Sequence, residues 1–322
     1  MTAAATGVGS LPGSDIHAAV RLVLDELPDL AHLPELPERG APAATTGRAV
    51  GLLADLGADL QPAGWRLTGA GTPGGGVDQR RARSLLAEDL DALEEHTQGY
   101  DGRIKVQVAG PWTLAATVER PRGDRLLADH GARRDLAQSL AEGVAGHVAD
   151  VRRRVPGAAL VVQVDEPALP AVLAAAVPTA SGFGRHRAVH EPEAAAGLAV
   201  VVHAVRSAGA APVVHCCAGD VPIGLLAGAG AVAVSLDVSL LDAGRTDALA
   251  AAVDAGLGLW AGLPDSTETP DLLRLLERLG TDPTAADLVV TPACGLAGAT
   301  ADGARRTYAR LRQVARQVSE AG

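Results

Sequence analysis

Short apolar segments that alternate with longer stretches of helical spacing restrict the fold of this 322-residue chain more than any other feature. Such segments are typical of parallel strands that crossover helices bury on both faces. Eight can be counted, over residues 5–9, 31–36, 104–109, 158–164, 211–216, 232–236, 257–261 and 288–291. The second is the weakest, because His32 and Pro34 interrupt it and Pro37 follows it directly. The pattern predicts a single α/β domain over residues 1–322, folded as a (β/α)8 TIM barrel.

Stretches with helical periodicity lie between these segments. They predict helices over residues 79–96, 134–154, 193–208, 247–255, 270–279 and 304–319. The glycine-rich segment 71–76 has the most flexible composition in the chain, and Trp65 lies near it in sequence. Two interpretations of this segment remain open: a mobile loop on the catalytic face, or an exposed connection without a role in function.

Charge and aromatic content exclude several classes of partner. The net charge is -10, no dense Lys/Arg run is present, and the chain holds one Phe and two Tyr. Nucleic-acid binders instead present a basic face and stacking aromatic rings. The sequence shows neither a secretory signal nor an apolar run of about 18 residues that could span a membrane. We therefore expect a cytoplasmic protein without nucleic-acid or membrane partners, whose three reduced cysteines serve as metal ligands, nucleophiles or core residues.

Polar and thiol side chains collect where the predicted strands end. In a (β/α)8 barrel the C-terminal ends of the strands meet at one rim, so residues far apart in sequence converge there. The residues at these positions are Ser10, Glu35, Asp165, Glu166, His215, Cys216, Cys217, Asp237 and Cys294. We expect them to form one site.

Four of these residues have the side chains that zinc prefers: an imidazole, two thiolates and a carboxylate. They are His215, Cys217, Asp237 and Cys294. Residues two apart in an extended segment face the same side, so His215 and Cys217 can both point into the site while Cys216 points into the core. Asp237 has two alternative roles, since it could cap the next helix or pair with Arg245.

Asp165 and Glu166 form a pair of adjacent acids at the end of the fourth predicted strand. Such a pair is a candidate for general acid-base catalysis. In a site that activates a thiol, the same carboxylates could instead bind a substrate ammonium group. A third interpretation is that they cap a helix at the turn before Pro167. The sequence alone leaves all three open.

Four motifs resemble, in the same order, the C-terminal catalytic barrel of cobalamin-independent methionine synthase. They are GVGSLP at 7–12, QVDEPAL at 163–169, VVHCCAGD at 213–220 and PACGLAG at 292–298. The resemblance implies one zinc ion bound by the four ligand candidates. It also implies that Asp165 and Glu35 bind the amino group of homocysteine and that Ser10 meets its carboxylate, with Glu38 as the alternative to Glu35.

The chain departs from the family pattern on the side of the methyl donor. The third zinc ligand is usually Glu, where this chain has the shorter Asp237. Residues 262–264 (GLP) replace a histidine thought to assist proton transfer, a role that Asp265 could take over, and residues 297–299 (AGA) replace basic residues. The resemblance also lacks the N-terminal barrel of the long enzyme. The donor is therefore either a folate or a corrinoid, the latter carried by a methyl-donor partner protein.

The function that these features predict is zinc-dependent methyl transfer to the thiol of homocysteine, a step of methionine biosynthesis. Zinc raises the thiolate fraction of a bound thiol, and only the thiolate attacks a methyl group. Transfer to or from another small thiol is an alternative. A zinc-dependent hydrolase with Asp165 or Glu166 as base is another, although hydrolytic zinc usually lies among histidines and carboxylates. A binding protein without turnover is a third.

Overall fold

Eight parallel strands form a nearly closed barrel in the computed structural model, which describes residues 3–68, 75–281 and 288–321. The barrel strands are β1 (Ala4–Ala5), β2 (Leu30–His32), β5 (Arg103–Ala109), β6 (Ala159–Asp165), β7 (Ala211–Cys216), β8 (Ala233–Asp237), β9 (Gly258–Leu263) and β10 (Val289–Pro292). Two further strands, β3 (Ala58–Gln61) and β4 (Gly64–Leu67), lie outside the barrel. Neighbouring strands in the barrel follow the order β1-β10-β9-β8-β7-β6-β5-β2. The predicted barrel is confirmed.

The helices cover the outside of the barrel and bury their apolar faces on it. They are α1 (Ile16–Glu26), α2 (Thr45–Leu52), α3 (Val77–His96), α4 (Pro111–Thr117), α5 (His130–Arg154), α6 (Leu169–Leu173), α7 (Glu191–Ser207), α8 (Ile223–Gly228), α9 (Ala243–Asp254), α10 (Thr269–Leu279) and α11 (Ala301–Ala321). All six predicted helices are confirmed, and each begins up to four residues earlier than expected. The N-terminal ends were missed because capping residues such as Asp129 and Asp242 precede the apolar periodicity. No described helix is long and apolar enough to cross a membrane.

The barrel closes between its first two strands through a single bridge at the mouth. Ser10 and Glu35 form this parallel bridge, in which Glu35 N donates to Gly9 O at 3.0 Å and Leu11 N donates to Glu35 O at 2.9 Å. Both strands are shorter than the predicted 5–9 and 31–36, since Pro34 has no N–H to donate to a ladder. The chain nevertheless stays extended beyond each strand, and this brings Ser10 and Glu35 together.

One element was not predicted from the sequence. β3 and β4 form an antiparallel hairpin, separate from the barrel, in which Leu60 faces Trp65. The Trp65 side chain is buried. Residues 71–74 of the glycine-rich segment lie outside the described part of the chain.

The barrel interior is divided into an apolar plug and a polar mouth. The plug is a separate hydrophobic cluster, formed by Ala4, Leu30, Val161, Val213, Ala233, Trp260 and Val289. Polar side chains follow the plug residues on two neighbouring strands, at Gln163 and Asp165 in β6 and at His215 in β7. Because side chains alternate along a strand, these residues face inward like the plug residues before them.

Candidate active site

The strand register places four predicted site residues at the mouth of the barrel. Asp165 lies beside His215 in the β6–β7 pair, and His215 lies beside Ser235 in the β7–β8 pair. Cys217 and Asp237 lie at or just beyond the ends of β7 and β8. The expected convergence of strand-end residues at one rim therefore holds for this part of the chain.

His215 presents a free nitrogen to the mouth. Its Nδ1 lies 2.9 Å from Ser235 Oγ, whereas its Nε2 is buried without a hydrogen-bond partner in the described structure. Burial, helped by the charge of Lys105, lowers the pKa of the imidazole to about 3, so the ring is neutral at pH 7. A neutral imidazole held at one nitrogen by a hydrogen bond, with the other nitrogen unused, is the arrangement of a histidine metal ligand.

Cys217 and Cys294 bring their sulfur atoms together from opposite sides of the mouth. The two Sγ atoms lie 3.6 Å apart, and both thiols are free. Their contact lowers the pKa of Cys294 to about 6 and raises the pKa of Cys217. With Zn–S distances of about 2.3 Å and a tetrahedral angle, two thiolate ligands lie about 3.8 Å apart. The spacing of the two cysteines therefore fits a shared zinc ion.

Cys216 differs from its neighbour. Its side chain is fully buried in the hydrophobic core, and burial raises the pKa of its thiol to about 12. A thiol in this environment is neither a metal ligand nor a nucleophile at neutral pH. The expected outward orientation of Cys216 is confirmed.

The Asp237 side chain forms its hydrogen bonds with the residues that follow it in the chain. It caps the short 3-10 helix Val238–Leu240, and its Oδ1 accepts hydrogen bonds from Ser239 N at 2.9 Å and Ser239 Oγ at 2.6 Å. The alternative pairing with Arg245 is wrong, because that arginine instead contacts Asp220 and Asp242. The capping alternative describes the observed side chain.

The four ligand candidates are not closed around one point. Within the described residues, only one group of three potential metal ligands has its ligand atoms all within 4.8 Å of one another. This group is His17, Glu95 and His96, where α1 meets α3 on the surface. A zinc ion in the mouth would therefore require the ligand side chains to lie closer to one another than they do here.

A second group of side chains lies beside the ligand candidates, where the resemblance implies the amino group of a substrate. Asp165 Oδ1 accepts a hydrogen bond from Gln163 Nε2 at 2.7 Å. Burial and the nearby Glu35 carboxylate raise the pKa of Asp165 well above its ordinary value, and the Lys105 ammonium opposes this shift. A buried carboxyl group with a second carboxylate nearby forms a site that favours a cation.

Glu35 belongs to the interior of the barrel and its rival Glu38 does not. Glu35 is 2% exposed, and it accepts hydrogen bonds from Thr45 Oγ1 at 2.8 Å and Gln107 Nε2 at 3.2 Å. Arg48 Nε lies 3.6 Å from the same carboxylate. Glu38 is exposed and accepts a hydrogen bond from Gly13 N at 2.8 Å.

Glu166 points away from the mouth although it follows Asp165 directly. Its two oxygens accept hydrogen bonds from Trp112 N at 3.0 Å, Thr113 N at 2.7 Å and Thr113 Oγ1 at 2.8 Å, at the beginning of α4. Burial raises its pKa to about 7 against the effect of these bonds. A Cβ at Gly110 would lie 2.4 Å from Glu166 Oε1, so the glycine before α4 makes room for this cap. The helix-capping interpretation therefore describes Glu166 best.

Ser10 contacts the loop that carries Cys294. Leu296 N donates to Ser10 O at 2.9 Å, and a Cβ at Gly295 would lie 2.1 Å from Ser10 Oγ. Only glycine allows this approach of the loop after β10 to the loop after β1. The contact joins a predicted substrate-binding residue to a predicted zinc ligand.

Sequence analysis missed three polar residues inside the barrel: Lys105, Gln107 and Gln163. All three are buried, at 0%, 4% and 0% exposure. Their signal was present as polar residues two apart in otherwise apolar strands, Lys-x-Gln in β5 and Gln-x-Asp in β6. This spacing places both polar residues of a strand on its inner face.

Comparisons with known proteins identify the family of this chain and agree with its barrel fold. The sequence matches the family model for the cobalamin-independent synthase, catalytic domain, over residues 95–317. A structure of a B12-independent methionine synthase from Shewanella sp. W3-18-1, in complex with selenomethionine, has a TM-score of 0.63 and 15% sequence identity, and the match covers 100% of this chain and 99% of that chain. The tryptophan synthase complex from Pyrococcus furiosus has a TM-score of 0.43 and 11% identity, with 99% and 97% coverage. No curated protein matches significantly. Since the family model covers well over half of its residues, this chain belongs to the cobalamin-independent synthase catalytic domain family.

Proposed function

We propose that this protein is a zinc-dependent methyltransferase that methylates the thiol of homocysteine to form methionine. The observation that carries the proposal is the pair of thiols, Cys217 and Cys294, with sulfurs 3.6 Å apart at the mouth that also holds the unpartnered Nε2 of His215. Two thiols and a neutral imidazole are a donor set that suits zinc. The family membership supports the same reaction.

His215, Cys217 and Cys294 would hold the zinc ion, and Asp237, whose Oδ2 takes no part in the bonds to Ser239, would complete the set. When bound, zinc lowers the pKa of a coordinated thiol and so supplies a thiolate nucleophile at neutral pH. Ser235 holds the His215 ring through Nδ1, which keeps Nε2 directed at the mouth.

Asp165 and Glu35 would bind the ammonium group of homocysteine. Both are buried at the mouth, and burial together with the Glu35 carboxylate raises the pKa of Asp165, which favours binding of a further positive charge there. Ser10, next to the Cys294 loop, would meet the substrate carboxylate. The similar Shewanella structure holds selenomethionine, the selenium analogue of the product proposed here. These contacts would fix the amino-acid end while the thiol reacts.

Glu166 has no part in this mechanism, because both its oxygens are bound to α4. This removes one of the two carboxylates that the hydrolase alternative offered as base and leaves Asp165. The three cysteines are free and two are needed as thiolates, so we expect the protein to work in the reducing cytoplasm.

The choice of methyl donor depends on the residues at and after the end of β9. The strand ends in Gly262 and the buried Leu263, and Asp265 beyond it has an 84% exposed side chain near Arg310. None of these three residues offers a buried acid to a leaving group, so we propose a corrinoid donor, delivered by a partner protein, over a folate. The test is methionine formation by the zinc-loaded protein from homocysteine with methylcobalamin or with methyltetrahydrofolate. Failure with both donors, at measurable homocysteine binding, would contradict methyl transfer.

A further inference from the structure

Lys105 is a buried cation inside the barrel that the reaction proposed above does not use. It lies in the middle of β5 and its side chain is 0% exposed. Its Nζ donates hydrogen bonds to Val8 O at 2.7 Å and to Gln107 Oε1 at 3.2 Å. An ammonium group removed from water is costly unless it has partners and a compensating charge. The position therefore calls for an explanation beyond packing.

One hydrogen-bonded chain leads from Lys105 to Glu35. Gln107 accepts from Lys105 through Oε1 and donates through Nε2 to Glu35 Oε1 at 3.2 Å and to Leu33 O at 2.8 Å. The Gln107 amide is therefore fixed with its oxygen towards the ammonium and its nitrogen towards the carboxylate. Removing the Lys105 charge would remove the reason for this orientation.

A second chain leads from Lys105 to Asp165. Val8 O accepts from Lys105 Nζ and also from Gln163 Nε2, the latter at 2.9 Å. The same Gln163 Nε2 donates to Asp165 Oδ1 at 2.7 Å. Lys105 is thus the common origin of two chains that end on the two carboxylates of the mouth.

Electrostatic interactions connect the same three residues, Lys105, Asp165 and Glu35. Asp165 and Glu35 both raise the pKa of Lys105, while burial lowers it to about 8. In return, Lys105 opposes the rise in the pKa of Asp165 that burial and Glu35 cause. Arg48 Nε lies 3.6 Å from the Glu35 carboxylate, whereas Lys105 is the cation that acts on Asp165. Without the lysine, the hydrogen-bonded chain that reaches Asp165 through Val8 O and Gln163 would lose its charged member.

We propose that Lys105 is the positioning residue of the amino-group pocket, which orients Asp165 and Glu35 through the two hydrogen-bonded chains so that the protein selects thiols carrying a primary ammonium group. This inference rests on the proposed function, since it takes the two carboxylates as the ammonium site. Lys105 itself contacts neither the substrate nor the reacting atoms.

The test is Lys105→Met, which removes the charge and retains the length of the side chain. We expect the KM for homocysteine to rise roughly tenfold or more, as for the loss of one charge-assisted contact. The kcat at saturating homocysteine should stay close to that of the wild type, because the change affects substrate binding and not the reacting sulfur. For 4-mercaptobutanoate, which lacks the amino group, the affinity should not fall. An equal loss of affinity for both thiols would overturn the proposal, because it would indicate general damage to the barrel.

A double-mutant cycle separates a role through Asp165 from a role in packing. In an Asp165→Asn background, Lys105→Met should change homocysteine affinity far less than in the wild type, since the charge that it supports is already absent. Additive effects would overturn the proposal. If Lys105→Met does not fold, Gln163→Leu interrupts the chain to Asp165 alone and should again weaken homocysteine and spare 4-mercaptobutanoate.

The proposed function and the proposed role of Lys105 can be tested separately. A wild-type protein that binds no homocysteine would overturn both the proposed function and the role of Lys105. If the wild type binds homocysteine, Asp165→Asn weakens binding and Lys105→Met leaves it unchanged, only the role of Lys105 would be overturned.

Discussion

The Sγ atoms of Cys217 and Cys294 lie 3.6 Å apart, although 77 positions separate the two residues in sequence. The contact joins the loop after β7 to the loop after β10, on two strands that are not neighbours in the barrel. A close pair of free thiols at the mouth of a barrel is the arrangement from which the zinc prediction can be tested residue by residue.

Replacing either mouth cysteine should remove most of the bound zinc. In Cys217→Ser and Cys294→Ser a hydroxyl replaces the soft thiolate, and hydroxyl oxygen is a poor ligand for zinc. Metal content measured by atomic absorption after dialysis should fall well below one ion per chain. The matched control is Cys216→Ser, whose side chain is buried in the core and should leave zinc content unchanged. Equal loss in all three variants would contradict the assignment.

Asp165→Asn should weaken homocysteine binding without loss of zinc. The substitution removes a charge-assisted contact worth about 1.5–3 kcal/mol, or roughly 10- to 100-fold in affinity. Isothermal titration of the zinc-loaded protein with homocysteine measures the change. Unaltered affinity would show that the ammonium group binds elsewhere.

Glu166→Gln should lower stability and spare homocysteine binding. The Gln amide would turn an N–H towards a backbone N–H of α4 where the carboxylate now accepts, at a cost of about 1–3 kcal/mol in the free energy of unfolding. Urea denaturation measures the stability, and titration measures the binding. A stable variant with lost turnover would instead support the catalytic role first expected for this acid.

The interior of the barrel shows how far sequence reasoning reaches. The strand ends were predictable, because polar residues interrupt apolar runs at a constant place in each strand-helix unit. The directions of neighbouring side chains were not: Asp165 and Glu166 are adjacent, yet one faces the mouth and the other caps α4. The role of Lys105 was not predictable, because a single charged residue within an apolar strand resembles a break in that strand. Its partner Gln107 lies two residues further along the same strand, but its partner Val8 O is brought to it only by the folded barrel.

Gly295→Ala should impair substrate binding more than its size suggests. A methyl group there would lie 2.1 Å from Ser10 Oγ, so the loop carrying Cys294 or the Ser10 side chain must move. We expect the KM for homocysteine to rise. Gly298→Ala is the matched control, because a Cβ at this nearby glycine meets no atom within 4 Å. Similar behaviour of the two variants would argue against a functional contact between Gly295 and Ser10.

Methylcobalamin should support methionine formation better than methyltetrahydrofolate at equal concentration. A folate nitrogen is a poor leaving group unless it is protonated, and lack of a positioned acid typically costs on the order of 10² to 10⁴ in rate. A corrinoid donor needs no such proton. The comparison is made with the zinc-loaded protein and saturating homocysteine. Rapid turnover with folate would refute the donor assignment and make Asp265 the first residue to replace.

The most direct test of the account is X-ray absorption at the zinc edge, recorded with and without homocysteine. We predict two sulfur ligands, from Cys217 and Cys294, in the zinc-loaded protein and one further sulfur ligand after homocysteine is added. Homoserine, in which a hydroxyl replaces the thiol, should add no sulfur. A zinc environment with two sulfurs that homocysteine leaves unchanged would contradict thiol activation by the metal.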